Sequence, residues 1–289
     1  MDPIYFYLPD FYYFSHMNLI LHEMMYKYPQ CFYDNIEIGA VYGCFPGSIW
    51  NGGRVVLGSC TKNEMKQTIQ SYNERGIPIR YTYTNPVLEE KHCYDTYCNL
   101  TMEIAMDGRN EVLVNSPILE EYIRKNYKEY PVLSSTTKCL TRREDIEHEL
   151  GLEYQLVVLD NSWNNTDKLF ELPHKRRIEL VANSYCRDCC PNRKEHYRVV
   201  GECQLQFQSS TFDSCKYINR DFYEVMEDAK FITTEDIFGR YYEAGFRHYK
   251  LDGRAFNQYQ VMESYMYYFV KPEHRDAVRL AFLKTIERF

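Results

Sequence analysis

Thiol groups crowd one short stretch of the chain. Five of the eleven cysteines fall within thirty residues, and these five are Cys186, Cys189, Cys190, Cys203 and Cys215. Two residues separate Cys186 from Cys189, and three separate it from Cys190. Thiolates on so short a loop can converge on one metal, and four suffice for a structural zinc ion or an iron–sulfur cluster. We therefore predict a metal site in which Cys186 and Cys190 bind the same metal.

The cysteine cluster has other interpretations. Radical chemistry on S-adenosylmethionine would need a third cysteine three residues after Cys190, but that position is Arg193, so this class is disfavoured. The thiols could also be buried or exposed groups that hold no metal. Because the cysteine count is odd and the first residues lack a basic segment followed by an apolar run, we expect reduced thiols and a cytoplasmic protein.

Cationic side chains near the cluster and near the end of the chain could bind an anionic substrate. Arg193 follows the first cysteines, and its guanidinium group can make a bidentate contact with a carboxylate or a phosphate. Lys250 and Arg254 belong to the run Lys-Leu-Asp-Gly-Arg, in which Gly253 lets the backbone turn sharply. An ion pair with a neighbouring acid is the competing role. No Ser-His-Asp or Cys-His arrangement can be located, so the catalytic residues stay unassigned.

Eight short apolar runs predict the strands that would position these groups. They cover residues 4–8, 36–42, 79–83, 111–114, 130–134, 155–159, 178–182 and 248–251. Such runs are typical of strands that are buried on both faces of a parallel sheet. Helical periodicity predicts helices at 16–27, 62–75, 94–105, 117–127, 142–150, 235–244, 259–268 and 273–289. Ser116 is expected to cap one helix at Pro117, and Thr141 with Glu144 another.

The alternation of eight strands with helices predicts an α/β fold, a (β/α)8 TIM-like barrel in one domain over residues 1–289. A doubly wound open sheet is the competitor, but the Gly-rich segment 43–54 matches neither a dinucleotide-binding nor a P-loop spacing. After residue 182 the alternation stops for about sixty residues, too long for a simple loop. We therefore predict a Cys-rich insertion over 183–228 after the seventh strand, with the last two helices outside the barrel.

Polar residues recur where the predicted strands end, and active sites of such barrels lie at the carboxyl ends of the strands. Asn115 directly follows the fourth strand, Asp160 the sixth and Asn183 the seventh. These residue types also favour turns wherever a strand ends. Their recurrence nevertheless predicts a polar mouth, and the substrate-binding candidates are Asn115, Asn183, Arg193, Lys250 and Arg254.

Composition excludes several classes of protein. Apolar residues make up 45% of the chain and charged residues 26%, which excludes a disordered chain. The net charge of −7 argues against electrostatic binding of duplex nucleic acid. No run approaches the roughly 18 apolar residues of a membrane helix, so no membrane contact is expected. The 28 tyrosines are explained by coding bias and packing, or by a surface for a protein partner.

Several segments resemble the collagenase-like peptidase family, peptidase family U-thirty-two. The clearest match is residues 244–254, which is similar to a family signature that ends in Lys-Ile-Glu-Gly-Arg. Weaker similarity covers Leu8-Pro9, Ala40-Val41-Tyr42-Gly43, Ser134-Ser135-Thr136 and Cys186, so it is spread over most of the chain. The resemblance implies a βα barrel with an iron–sulfur cluster bound by four cysteines at its mouth. It also implies proteolysis, or modification such as hydroxylation of RNA bases or quinone precursors.

Three functions are consistent with these features. The first is an iron–sulfur-dependent enzyme acting on an anionic small molecule, a nucleic-acid base or a peptide, with Cys186, Cys190 and Cys215 as cluster ligands and Cys189 or Cys203 as the fourth. The second is a non-enzymatic binding module with a structural zinc ion. The third is a peptidase, for which no nucleophile can be placed. Iron with sulfide would favour the first, and one zinc ion per chain the second.

Overall fold

The structure is a computed structural model that describes residues 2–186, 190–209, 220–253 and 257–286. Three of the predicted site residues, Cys189, Cys215 and Arg254, lie outside these ranges.

The fold is built around strands whose side chains are mostly buried on both faces, as their continuous apolar runs predict.

Eight parallel strands close into a barrel in which each strand pairs with its neighbours in the chain and β8 pairs with β1. The strands are β1 (Ile4–Pro9), β2 (Ile36–Gly43), β3 (Ile79–Tyr83), β4 (Glu111–Val114), β5 (Val132–Ser134), β6 (Val157–Val158), β7 (Ile178–Val181) and β8 (His248–Lys250). The predicted barrel is confirmed. β6 is shorter than predicted, although backbone bonds from Gln155 to Val132 and from Leu159 to Glu179 continue its pairing on both sides.

Helices follow the strands along the chain. They are α1 (Ser15–Lys27), α2 (Lys62–Asn73), α3 (Thr96–Ile104), α4 (Pro117–Asn126), α5 (Arg143–Gly151), α6 (Asp167–Phe170), α7 (Arg193–Leu205), α8 (Phe222–Met226), α9 (Thr234–Asp236), α10 (Tyr242–Ala244), α11 (Gln258–Phe269) and α12 (Arg275–Ile286). A π-helical turn, Ile237–Tyr241, joins α9 to α10. The final helices, α11 and α12, pack against each other and against α1, outside the barrel as predicted.

The two predicted helix caps have different outcomes. The Ser116 side chain accepts a hydrogen bond from the backbone N–H of Leu119, which confirms the cap of α4. The cap predicted at Thr141 is wrong, because α5 begins one residue later, after Arg142, with no side-chain cap. Arg142 instead forms an ion pair with Asp145 in the first turn, and this contact takes the place of the capping box.

Alternate residues of each strand face the barrel interior, as the period of a β-strand requires. The inward side chains include Tyr7, Ala40, Tyr42, Leu113, Leu133, Leu156, Val158 and Val181. Their neighbours along the strands, such as Phe6 and Leu8, belong to the larger core between the strands and the helices. The interior is therefore a packed layer that separates the two ends of the barrel.

The connection between β7 and β8 carries α7 across the carboxyl end of the barrel. Gln204 of α7 donates to the carbonyls of Ser48 and Val56 and accepts from the N–H of Val56. Asn85, which follows β3, donates to the carbonyl of Gly201 on α7 at 3.1 Å. These bonds fix α7 to the loops after β2 and β3, so it forms a cover over the mouth.

Gly201 allows this close approach, which a side chain would prevent. A Cβ atom there would lie 2.4 Å from Oδ1 of Asn85, whose buried amide is held by further bonds to Ile49 and Val87. We expect Gly201→Ala to increase the hydrogen-exchange rate of the α7 amides about tenfold, because overpacking costs about 1–3 kcal/mol. The control is Gly151→Ala, where a Cβ would meet nothing within 4 Å. Unchanged exchange in α7 of the Gly201→Ala variant would contradict a tightly docked cover.

Among the described residues, no helix has the length and apolar character needed to cross a membrane.

Candidate functional site

Lys250 brings a cationic group to the carboxyl end of the barrel interior. It lies on β8 beside Val181 of β7 and is 9% exposed. Its Nζ lies 3.8 Å from the ring centroid of Tyr42, an inward residue of β2. The Tyr42 hydroxyl donates to the carbonyl of Leu251 at 2.6 Å, which fixes the ring. Lys250, one of the substrate-binding candidates from the sequence, thus lies at the mouth, and its role in binding stays a prediction.

Arg193 enters the mouth from the first turn of α7. Its Nη1 donates to Oδ2 of Asp160 and, at 2.6 Å, to Oδ1 of Asn161. Burial opposes the charge of the guanidinium group, but the nearby Asp160 carboxylate outweighs this effect and raises the pKa of Arg193, so the guanidinium group stays charged. Asn161 also donates to the carbonyl of Cys186 at 3.1 Å. Arg193 therefore joins the end of β6 to the start of the loop that begins at Cys186 and leads to α7, which we call the cysteine loop.

The cysteine loop places Cys186 and Cys190 next to Arg193. Burial raises the pKa of the Cys186 thiol, and the Arg193 guanidinium offsets part of this effect through its charge and a hydrogen bond. Cys139, in the loop after β5, also interacts electrostatically with Cys186 and Arg193. Burial, with the nearby Asp160 carboxylate, raises the pKa of Cys139 to about 12. Thiols from two different loops thus meet at the start of α7.

Cys203 lies far from this group of thiols. It is in α7, ten residues after Arg193, and a rise of 1.5 Å per residue separates the two positions by about 15 Å. One ion or cluster needs ligands closer together than this, so we do not include Cys203 in the site proposed below, and its predicted ligand role stays a prediction. Among the described residues, no group of three or more His, Cys, Asp and Glu side chains is arranged to hold a metal ion.

The two asparagines predicted to bind substrate are engaged in the scaffold. Asn183 is fully buried, and its side chain donates to the carbonyl of Asp252 and accepts from the N–H of Asp252. It thereby ties the end of β7 to the end of β8. Asn115 donates to the hydroxyl of Thr137 at 2.8 Å and joins the ends of β4 and β5 in the same way.

Arg54 is a mouth residue that the sequence did not single out. It ends the Gly-rich segment after β2, and its Nη2 lies 3.9 Å from Oδ2 of Asp252, with both side chains partly exposed. Tyr197 of α7 interacts electrostatically with both Arg54 and Arg193, and it is partly buried between them. His196, beside it, has its pKa lowered by burial and by the charge of Arg54. Arg54 thus lies on the same face of the mouth as Arg193.

The Gly-rich segment itself has a structural explanation. A Cβ atom at Gly52 would lie 2.3 Å from the backbone oxygen of Thr84, so only glycine allows this loop to pack on the end of β3. The packed conformation of this loop places Arg54 at the mouth. In the sequence, Arg54 is a single arginine after two glycines, and this pattern matches no known binding motif. It could therefore not be recognised as a site residue.

Comparisons with known proteins identify the fold. No family model matches the chain, and no curated protein matches it. Among solved structures, that of the U32 peptidase Mk0906 superposes with a TM-score of 0.56 and 12% sequence identity, over 88% of this chain and 93% of that chain. At this identity the likeness shows the fold alone. The U32-like barrel that the sequence resemblance implied is thereby confirmed.

Proposed function

We propose that this U32-like barrel protein is an enzyme that binds an anionic group of a small molecule or a peptide at the mouth of the barrel. The observation that carries the proposal is that three separate elements each bring a cationic side chain to the carboxyl end of the barrel. Lys250 lies on the Tyr42 ring, and Tyr42 and Tyr197 each interact with Arg54. Tyr197 also interacts with Arg193. Carboxylates and phosphates are the groups that such cationic side chains recognise.

Because α7 covers the mouth, a substrate that is small or extended is favoured over a bulky one. α7 is tied to the loops after β2 and β3 at one end and to the end of β6 at the other, through Gln204 and Arg193. Helix and barrel together reduce the water around the cationic groups, and electrostatic interactions are stronger in such a site. Arg193, held by Asp160 and Asn161, is expected to orient the bound group while Lys250 and Arg54 provide charge.

Anion binding can be tested at Arg54 with inorganic phosphate and acetate as probes. We expect Arg54→Met to weaken binding of the probe about tenfold, because a hydrogen bond to a charged group contributes about 1.5–3 kcal/mol. Isothermal titration calorimetry or NMR titration measures the Kd. Arg109→Met is the matched control, because Arg109 pairs with Asp107 on the surface, before β4. Equal Kd values for the Arg54→Met variant and the wild type would refute the role of Arg54.

We propose further that Cys186 and Cys190, with Cys189 and Cys215, hold an iron–sulfur cluster beside the anion-binding residues. The support is the pair of described thiols on one loop, next to Arg193 and within reach of the mouth. When bound, such a cluster would supply electron transfer or a Lewis-acidic iron. Arg193, paired with Asp160, would keep positive charge beside thiolate ligands and stabilise them.

Metal and sulfide analysis after anaerobic purification tests this second part. Iron with acid-labile sulfide in equal amounts is the expected result. One zinc ion per chain without sulfide would instead favour the binding module with a structural zinc. A protein purified without either metal, and unable to take up iron and sulfide on reconstitution, would contradict a metal site on the loop.

A further inference from the structure

An ionic cluster lies inside the barrel near the amino ends of the strands, away from the mouth. We call it the floor cluster, and it consists of Arg80, Glu111, Glu179, Tyr7 and His248. Arg80 is the second residue of β3, Glu111 the first of β4, Glu179 the second of β7 and His248 the first of β8. Because the strands are parallel, these positions lie at the same end of the barrel, opposite the candidate site.

Arg80 stands between the two carboxylates. Its Nε donates to Oε2 of Glu111 at 2.7 Å, and its Nη1 donates to Oε2 of Glu179 at 2.5 Å. Its guanidinium carbon lies 3.8 Å from the ring centroid of Tyr7. The side chains of Arg80 and Glu179 are 0% exposed, and that of Glu111 is 8% exposed. Three strands are thus joined through one cation.

The charges of this triad do not balance when both carboxyls are ionised. One guanidinium and two carboxylates leave a net charge of −1 in a space closed from above by Leu113 and Val181, the next inward residues on β4 and β7. Nη2 of Arg80 and Oε1 of Glu179 have no hydrogen-bond partner among the described residues. Burial of an uncompensated charge is costly, and the least costly remedy is to bind a proton.

Within the described part of the chain, the groups around Glu111 do not supply a second positive charge. His248 of β8 faces the cluster and accepts or donates a hydrogen bond of 2.7 Å with the Tyr7 hydroxyl, but burial lowers its pKa to about 4, so it is neutral. Burial raises the pKa of Tyr7 of β1, so it is neutral too. Gln155, before β6, hydrogen-bonds Glu111 and is uncharged. On β2, the inward residue Ala40 pairs with Tyr7 and is apolar, and so is Leu133 of β5, which pairs with Leu113.

We propose that Glu111 is a pH-sensitive element of the fold, which keeps its proton well above the pH at which an exposed glutamate ionises and destabilises the barrel when it loses that proton. Glu179 makes the shorter bond to Arg80 and is fully buried, whereas Glu111 begins β4, keeps 8% of its side chain exposed and can exchange a proton with water. Burial, and the charge of Glu179, raise the pKa of Glu111 although Arg80 opposes them.

The direction of the pH dependence follows from proton linkage. Between the unfolded and the folded pKa of Glu111, the folded protein binds more protons than the unfolded chain. Stability from this group is therefore greatest at low pH and decreases as the pH rises towards the folded pKa. The Glu111→Gln variant has a permanently neutral group of the same shape and is free of this decrease.

Thermal unfolding between pH 5 and pH 9 tests the proposal. We expect the Tm of Glu111→Gln to equal that of the wild type near pH 5 and to exceed it by about 3 °C at pH 8. Glu37→Gln is the matched control, because Glu37 is an exposed carboxylate at the amino end of β2, and its Tm difference should not vary with pH. A Tm difference for Glu111→Gln that is independent of pH, or that becomes negative as the pH rises, would overturn the proposal.

A second measurement does not depend on the variant folding. In wild-type protein with glutamate labelled at the side-chain carboxyl carbon, the NMR resonance assigned to Glu111 should titrate above the range of the exposed glutamates. Titration of every glutamate carboxyl below pH 5 would refute the proposal.

Discussion

Replacing Arg80 by methionine is expected to lower the free energy of unfolding by about 3–5 kcal/mol at pH 7. Among the residues that the structure describes, Arg80 alone is bonded to both Glu111 and Glu179, and its side chain is 0% exposed. Methionine fills much of the same volume but leaves two buried carboxyls without a cation. Urea unfolding followed by circular dichroism measures the difference.

Two comparisons show whether the loss arises from the buried charges. Arg109→Met breaks a surface ion pair with Asp107 and should cost less than about 1 kcal/mol. The loss in Arg80→Met should also become smaller at pH 5 than at pH 8, because the carboxyls take up protons when their cation is absent. If Arg80→Met unfolded at the same urea concentration as the wild type at both pH values, the triad would contribute nothing to stability.

Changing Cys186 or Cys190 to serine is expected to remove most of the metal that the protein binds. A serine hydroxyl is a poor ligand for zinc and for iron–sulfur clusters, which are held by thiolates. Metal content per folded chain, measured after anaerobic purification together with the circular dichroism spectrum, gives the result. Unchanged metal in both variants would refute a shared site at Cys186 and Cys190.

Cys203→Ser is the matched control for this experiment. Cys203 belongs to the same connection between β7 and β8, but α7 holds it about 15 Å along the helix from Arg193. The variant should therefore retain its metal and its folding. A loss of metal in Cys203→Ser equal to that in Cys186→Ser would show that the loop and helix are arranged differently when the metal is bound.

The barrel could be derived from the sequence because its determinants are local. Runs such as Ile79–Tyr83 and Glu111–Val114 are rich in β-branched and aromatic or aliphatic residues, and the structure has them as strands with the same bounds. Ser116 before Pro117 marks a helix start through contacts within one turn, and that cap is present. Eight strands in alternation with helices then leave few topologies, since parallel connections are right-handed and short.

Local patterns could not reveal α7, and the reason lies in what it covers. A helix on the outside of the barrel has an apolar stripe, but the buried residues of α7 are Arg193, Val200, Gly201 and Gln204, which face a polar mouth. The periodicity of apolar residues therefore does not indicate α7 in the sequence. Its docking depends on Asn85 and on the loop around Ser48, both more than a hundred residues earlier in the chain.

Tertiary structure also decided the roles of individual polar residues. Asn183 follows a strand end, as a substrate-binding residue would, yet both ends of its amide are bonded to the backbone of Asp252. Arg54 has no motif around it, yet the loop after β2 carries it to the mouth. The chemistry of a side chain is set by its own atoms, and the sequence specifies these atoms completely. Its partners are set by which distant segments the closed barrel brings together, and that depends on the packing of the whole chain.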